Sequence, residues 1–180
     1  MERLLHWKKL PVNVFIATHS PAEEADAKAA TAGFDEWVAA TGGAIGYRIV
    51  NSPSQGQIVV RFSPEAYLAG QEGVVGQTGI ASRGKILYKA EIQIATGGLD
   101  TGGLQSVAAH EFGHALGIEG HSDSPDDLMF PSETLYLSSS GEPVVITPRP
   151  VTLRDLNTLR LCYPTLFAEA SRAKKPTSAG

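Results

Sequence analysis

The sequence predicts a single α+β domain in which a sheet is covered by helices. Three observations lead to this fold class: long segments with apolar residues every three to four positions, short runs rich in β-branched residues between turn formers, and a length of 180 residues of which 42% are hydrophobic. A chain of this length supports one hydrophobic core rather than two. We therefore place one domain at residues 1–165 and expect a disordered tail at residues 166–180.

The first predicted strand comprises residues 10–16, where apolar and polar side chains alternate. After the basic start of the chain this segment superficially resembles a signal peptide, but Pro11 and Asn13 interrupt the apolar run and no clean cleavage site follows. We therefore expect no export signal, as in a cytoplasmic protein, a processed mature form or a shortened chain. No other run approaches the length needed to span a membrane.

A helix and several strands are predicted next. The helix extends from Pro21 to about Ala40, because Ser20 can cap it and Phe34 and Trp37 lie on one apolar face. Strands are predicted at residues 44–50 and 57–62, a glycine-rich edge strand at residues 74–80 and an alternating strand at residues 85–95. Together these elements form the sheet and the helix that backs it.

The segment after the predicted sheet is rich in glycine. Residues 97–103 contain four glycines but neither Gly-Lys-Ser/Thr nor a complete dinucleotide-binding fingerprint, so they predict a plain loop and not a phosphate site. A second helix is predicted from Leu104 until Gly117 ends it, since apolar residues recur on one face and glycine commonly ends a helix. This helix carries two of the chain's five histidines.

The last third of the chain is predicted to be mostly loop. Residues 122–150 are rich in Ser, Pro, Asp and Thr and offer only one short strand, at residues 144–146. A third helix begins where Thr152 can cap it with Asp155 three residues on, and it ends before Pro164.

Composition argues against several classes of partner. A net charge of −4, a pI of about 5.7 and the lack of a clustered Lys/Arg stripe give no electrostatic reason to expect nucleic acid or an anionic membrane. Cys162 is the only cysteine, so the chain can form no intrachain disulfide and no thiolate-rich metal site. We expect Cys162 to be a small buried core residue.

The most informative motif is HEFGHALGIEGH, which starts at His110. His110 and His114 are four residues apart, so on a helix they lie on one face and can direct their ring nitrogens at a single ion. His121 follows as a third imidazole. Three neutral imidazoles with no fourth protein ligand leave an open coordination position, which is typical of a catalytic zinc. Glu111, beside that ion, is the candidate general base and acid.

This motif, followed by Leu128-Met129-Phe130-Pro131, resembles the metzincin clan of zinc endopeptidases. In the resemblance, Met129 is the methionine of the Met-turn beneath the metal. The chain is most similar to the matrixin (matrix metalloproteinase-like) catalytic domain, because Ser122 follows the third histidine and the Leu-Met-aromatic-Pro segment and the last helix fit that pattern. The resemblance covers about residues 7–163 and is typical of a minimal microbial form.

The resemblance implies both a fold and an activity. The fold is zincin-like, with a twisted, mostly parallel five-stranded sheet, an antiparallel edge strand and three helices: a backing helix, an active-site helix and a C-terminal helix. The activity is that of a zinc-dependent metalloendopeptidase that hydrolyses peptide bonds with a zinc-activated water and Glu111 as general base and acid. The implied partner is a protein or peptide substrate, the implied location is secreted or periplasmic, and we expect a monomer.

The spacing before the third histidine departs from the clan pattern. Three residues, at positions 118–120, separate Gly117 from His121, where the clan usually has two. Gly120 permits backbone angles closed to other residues, so His121 can still reach the ion. Glu119 is the alternative ligand, and we favour His121 because imidazole is the ordinary third ligand after such a motif.

Two further metal sites of the family lack support in the sequence. Vertebrate-type matrixins bind a structural zinc with three histidines and an aspartate, but only His6 and His19 remain once the motif is filled. We therefore expect one catalytic Zn²⁺ and no structural zinc. Calcium is equally unsupported, because the acidic residues form no loop of ligand spacing.

By resemblance, the substrate lies extended along the edge strand, where Gly76 and Gln77 contact it. Pro131 and Glu133 line the outer wall of the pocket beyond the metal, and Glu133 stands where matrixins usually have tyrosine. A carboxylate there favours a basic side chain on the primed side of the cut; the alternative is a solvated glutamate.

Two other classes of function remain open. One is a catalytically silent zinc- or peptide-binding protein that keeps the metzincin fold, against which Glu111 argues because a binding site needs no general base. The other is a zinc hydrolase acting on a non-peptide amide, which the open edge strand disfavours.

Overall fold

The protein is built around one six-stranded sheet, in a computed structural model that describes residues 4–71, 73–131 and 148–173. Its strands are β1 (His6–Trp7), β2 (Val12–Ile16), β3 (Tyr47–Ile49), β4 (Ile58–Ser63), β5 (Gly76–Arg83) and β6 (Ile86–Ala95). The pairs β1·β6, β2·β3, β2·β4 and β4·β6 are parallel, whereas β5 pairs antiparallel with β6. The mostly parallel sheet with an antiparallel edge strand is thus confirmed, with six strands instead of five.

The register of β5 on β6 decides which side chains of β5 face the helices. Thr78 pairs with Ile92, and Gly76 pairs with Ile94. Both isoleucines are fully buried. Because side chains alternate between the two faces of a sheet, Gly76 and Thr78 lie on this buried face and Gln77 points to the other side.

The structure has four helices in its described part: α1 (Pro21–Ala40), α2 (Thr101–Ala115), α3 (Leu153–Cys162) and α4 (Pro164–Ala173). α1 packs on α2, where the Phe34 ring stacks on Phe112 at 4.3 Å between centroids. The Trp37 indole donates to the carbonyl of Ala109 at 2.8 Å. A side chain at Gly33 would overlap the backbone of α2, so glycine allows the two helices to approach. α2 is therefore held between α1 and strands β5 and β6.

α2 begins earlier than predicted. Its first residue is Thr101 and not Leu104, because the Asp100 carboxylate accepts a hydrogen bond from the amide of Gly103 at 2.7 Å and caps the helix. The prediction of a plain loop at residues 97–103 is therefore wrong for the last three of these residues. A capping aspartate outweighs the low helix propensity of two adjacent glycines.

The end of α2 lies where it was predicted, just before Gly117. Gly117 has a φ of 115°, and a side chain there would overlap the backbone of Leu5. The last carbonyls of the helix find donors: the Trp7 indole donates to Ala115 at 2.8 Å and the Tyr163 hydroxyl donates to Leu116 at 2.7 Å. Trp7 of β1 and Tyr163 at the end of α3 therefore hold the end of the helix that carries the histidine motif.

The C-terminal part confirms one prediction and corrects another. The capping box of Thr152 and Asp155 is present at the start of α3, and Cys162 is buried as predicted. A disordered tail from residue 166 was predicted, but residues up to Ala173 form α4. Pro164 explains the difference, because its fixed φ suits the first position of a new helix.

Other sequence predictions fall outside the described residues. These are the strand at residues 144–146 and the tail at residues 174–180. Of the described helices, none combines the length and apolar character needed to cross a bilayer.

Candidate active site

Three imidazoles converge beside the C-terminal half of α2. His110 and His114 project from the helix one turn apart, and His121 returns from the loop after Gly117. Nε2 of His114 lies 3.1 Å from Nε2 of His110 and 3.2 Å from Nε2 of His121. Each residue offers one ligand atom within 4.8 Å of the others, and no further described residue, including Glu119, belongs to this cluster.

His110 and His114 are in the protonation state that an imidazole needs to bind a metal ion. Nδ1 of His110 lies 2.7 Å from the carbonyl oxygen of Leu128, and Nδ1 of His114 lies 2.7 Å from that of Ile118. A carbonyl oxygen only accepts, so each Nδ1 carries the proton and each Nε2 keeps its lone pair. Burial lowers the pKa of His110 to about 3 and that of His114 to about 4, which keeps both rings neutral. The donor set therefore suits zinc.

Glu111 borders the same cavity as His114 and His121, and it is almost fully buried. Burial raises the pKa of Glu111 to about 7, while a hydrogen bond from Thr78 opposes that rise. Oγ1 of Thr78 lies 2.6 Å from Oε2 of Glu111. A carboxyl group whose pKa is near neutrality can both accept and return a proton, as general acid–base catalysis requires.

Strand β5 shapes the space around this carboxyl group. A Cβ atom at Gly76 would lie 2.5 Å from Oε1 of Glu111, so only glycine leaves room for the carboxylate here. Gln77 faces away and accepts a hydrogen bond from the Gln71 side chain at 3.2 Å. Gly76 thus lies directly against the Glu111 carboxylate, and both Gly76 and Gln77 border a cavity beside the cluster. No local pattern in the sequence marks Thr78, since its role depends on strand register.

The turn around Met129 supports the histidines from beneath. Met129 is buried, and a side chain at Gly113 of α2 would overlap its sulfur. The Asp155 carboxylate accepts from the amides of Leu128 at 3.1 Å and Met129 at 3.2 Å. Because the Leu128 carbonyl in turn accepts from His110, α3 orients a metal-site imidazole through this turn. The sequence identified Asp155 only as a capping residue.

A third buried carboxylate, that of Asp127, connects the loop after His121 to α3. It accepts from the hydroxyl of Ser122, from that of Thr152 at 2.7 Å, and from Nε of Arg154 at 3.0 Å. Burial alone raises the pKa of Asp127, but these hydroxyl and guanidinium donors outweigh it and hold the pKa below its ordinary value. Asp127 stands in no local sequence pattern that would mark this role.

Two cavities flank the cluster along β5. One, of about 300 Å³, lies beside His114 and is bordered by Gln77 and Glu119. The other, of about 210 Å³, lies beside His110 and is bordered by Val107 and Pro131. Pro131, one of the predicted substrate-binding residues, borders this second cavity, whereas Glu133 is outside the described residues. Both cavities are bordered by Gly76, Glu111 and His121, so they adjoin at the cluster, and together we call them the groove.

The family assignment follows from comparison with known proteins. The matrixin family model matches residues 6–141, which include the three histidines, Glu111 and Met129. The chain belongs to the matrixin family. Over 73 residues this matrixin is 41% identical to human matrix metalloproteinase-27. That match covers 39% of the chain but only 12% of the human protein. The matrixin family is one of zinc metalloproteases, in agreement with what the resemblance implied.

Proposed function

We propose that this matrixin is an endopeptidase that uses one catalytic zinc ion and Glu111 as general base and acid. The convergence of three Nε2 atoms next to the Glu111 carboxyl group carries this proposal. His110, His114 and His121 would hold the ion. Bound zinc supplies a Lewis acid that lowers the pKa of a bound water from 15.7 toward about 7.

The chain's own residues account for the proton transfers. Glu111 takes a proton from the attacking water and passes it to the leaving amine, and a pKa of about 7 suits both directions. Thr78 donates to Oε2 of this carboxylate, which fixes its orientation and leaves Oε1 as the oxygen that can accept from water. The Leu128 and Ile118 carbonyls fix the two helical imidazoles in the tautomer that presents Nε2.

The substrate we propose is an extended peptide aligned with β5. β5 pairs with β6 on one side, and no other described strand pairs with its second edge. An extended peptide can add there through main-chain hydrogen bonds at Gly76 and Gln77, which tolerates many sequences. The cavity beside His110 has valine and proline walls and therefore suits an apolar side chain next to the cut.

We also propose that the protein is a monomer and that it acts on proteins or peptides. Neither nucleic acid nor a membrane is a partner in this proposal. A net charge of −4 without a basic stripe supports this choice. The site and its groove are formed by elements of a single chain, so a second copy is not needed to complete the catalytic residues.

The experiment compares zinc-loaded wild-type protein with Glu111→Ala and with Glu65→Ala, which removes an exposed carboxylate that borders neither cavity. Each is incubated with a diverse peptide mixture, and new termini are read by mass spectrometry. We expect cleavage by the wild type and Glu65→Ala but not by Glu111→Ala, with equal zinc content. Zinc binding without cleavage by any of the three would contradict the proposal and favour a silent zinc-binding protein.

A further inference from the structure

His121 is held differently from the other two imidazoles of the cluster. Nδ1 of His110 and Nδ1 of His114 each donate to a main-chain carbonyl. Among the described residues, the ring of His121 has one contact within hydrogen-bond distance, that with Nε2 of His114, and the residue is exposed. We propose that Asp127, acting through Ser122, is a positioning residue that sets His121 as the third ligand of the zinc ion. The proposal deepens the proposed function and rests on its zinc site.

Side-chain packing does little to fix the His121 ring. His121 borders both cavities of the groove and a third cavity, of about 350 Å³, that reaches Thr158 of α3. In the described part of the chain, its contacts with other rings are those within the cluster: it stacks on His110 at 5.3 Å between centroids and meets His114 edge-on at 4.8 Å. With neither an acceptor nor close packing from the described residues, the ring takes its position from the backbone that carries it.

The chain before His121 is longer than the usual spacing. Ile118 is fixed against α2, because its carbonyl accepts from Nδ1 of His114 at 2.7 Å and its amide donates to the carbonyl of Gly113 at 3.2 Å. Two residues then lead to His121, where the clan pattern has one, and Gly120 adds backbone freedom. The fixed point nearest to the ligand therefore lies after His121 and not before it.

Ser122, which directly follows His121, is that fixed point. Its amide donates to the carbonyl of Met129 at 2.8 Å, and its hydroxyl donates to the Asp127 carboxylate. The same hydroxyl accepts from the amide of Ser124 at 3.1 Å. These bonds hold both the main chain and the side chain of Ser122, so the peptide bond that joins it to His121 can move little.

Asp127 is itself fixed by α3. Its carboxylate is buried and accepts from the hydroxyl of Thr152 at 2.7 Å and from Nε of Arg154 at 3.0 Å, in addition to the Ser122 hydroxyl. Thr152 caps α3 and Arg154 lies in its first turn, so both donors belong to the start of one helix. Donors on both oxygens hold a buried carboxylate in one orientation. Asp127 thereby transmits the position of α3 to Ser122 and on to His121, as outer-shell partners do for metal ligands.

The first test measures zinc affinity without turnover. The Kd of zinc is determined by competition with a chromophoric chelator for wild type, Ser122→Ala, Asp127→Ala and the control Ser124→Ala. We expect the Kd to rise about tenfold in Ser122→Ala and in Asp127→Ala, the lower end of what loss of an outer-shell partner costs. Ser124→Ala should keep the wild-type Kd, because it leaves in place the amide that donates to Ser122. An unchanged Kd in Ser122→Ala overturns the proposal.

Two conservative variants separate the hydrogen bond from the bulk of the side chains. Ser122→Thr keeps a hydroxyl that can donate, and Asp127→Asn keeps an oxygen that can accept from it. Both should therefore bind zinc nearly as tightly as wild type. If both lose as much affinity as the alanine variants, the hydrogen bond is not the cause and the proposal fails.

The second test asks whether the effect passes through His121. Ser122→Ala is combined with His121→Ala, and the zinc Kd of the double variant is compared with that of His121→Ala alone. Without the third ligand Ser122 has nothing to position, so the two values should differ by less than about twofold. A loss of about tenfold in both backgrounds would show a general loosening of the site and overturns the proposal. This comparison decides the question even if Asp127→Ala does not fold.

These titrations separate failure of the positioning role from failure of the proposed function. If wild type cleaves peptides but Ser122→Ala binds zinc as tightly as wild type, the endopeptidase function stands and the positioning role is rejected. If no peptide is cleaved but the loss of affinity in Ser122→Ala depends on His121, the positioning role stands and the proposed activity is rejected.

Discussion

Oγ1 of Thr78 on β5 lies 2.6 Å from Oε2 of Glu111 on α2. The antiparallel register of β5 on β6 turns Thr78 toward α2, so an edge strand holds the carboxylate that is proposed to move protons. A hydroxyl that donates to a carboxylate fixes its orientation and leaves the other oxygen to meet water.

Replacing Thr78 with valine should lower kcat about tenfold. The change keeps the shape of the side chain but removes the donor, and a hydrogen bond to a charged group contributes about 1.5–3 kcal/mol. Thr78→Ser restores the hydroxyl and should retain most of the activity. Steady-state kinetics at equal zinc content checks this, and a wild-type kcat in Thr78→Val would show that the contact does not position Glu111.

Replacing Gly76 with alanine should reduce activity at least tenfold with the fold intact. The new Cβ would lie 2.5 Å from Oε1 and 2.9 Å from Cγ of Glu111, so the carboxylate must move. A misplacement of about 1 Å can reduce a rate about 100-fold.

Gly79 provides the matched control for this prediction. It lies on the same strand, and a Cβ added there meets no atom within 4 Å. Gly79→Ala should therefore keep wild-type activity, while circular dichroism and zinc content remain equal in both variants. Similar losses in both would mean that strand β5, and not the Glu111 carboxylate, is what the alanine disturbs.

Local spacing made much of the site predictable. On a helix, His110 and His114 lie on one face, and Gly117 ends that helix, so the first two members of the cluster follow from sequence distance. His121 was favoured over Glu119 because imidazole is the ordinary third ligand, and not because of its spacing. The start of α2 was missed because Asp100, which caps it, stands among glycines that are typical of a loop.

Long-range contacts made the rest unpredictable. β1 has only two residues, and its His6 pairs with Ile86 far along the chain. A strand this short has no periodic pattern from which it could be predicted. Thr78 meets Glu111 only because of one strand register, and a shift by one residue would turn it to the other face. Asp127 likewise has donors from three separate positions in the chain, none of them in a recognisable spacing.

The third ligand can be tested by zinc affinity. His121→Ala should weaken zinc binding by more than the roughly 10- to 100-fold that loss of a ligand's hydrogen-bond partner costs, because a ligand atom itself is removed. Glu119→Gln should leave the Kd unchanged, since Glu119 is outside the ligand cluster. Competition with a chromophoric chelator measures both values. The reverse pattern would make Glu119 the ligand in place of His121.

The lowered pKa of Asp127 predicts how the stability of the fold depends on pH. Its pKa in the folded protein lies below its ordinary value of about 3.9, because Ser122, Thr152 and Arg154 donate to the ionised carboxylate. A carboxyl group with a lowered pKa contributes stability that is fully present above the unfolded pKa. That contribution disappears as the pH falls through the folded pKa. The loss should therefore occur below about pH 4.

Asp127→Asn isolates this contribution. At pH 7 the variant should be less stable by about 1–3 kcal/mol, because an amide cannot replace the charged acceptor for three donors. The difference from wild type should shrink as the pH falls below about 4, since protonation of Asp127 removes the same charge from the wild type. Urea unfolding at equal zinc concentration measures this difference, so that zinc release at acid pH affects both proteins alike.

Asp126→Asn changes an exposed neighbour and should match wild type throughout. A stability difference for Asp127→Asn that stays constant from pH 7 to 3 would show that packing, and not the ionised carboxylate, is what Asp127 contributes.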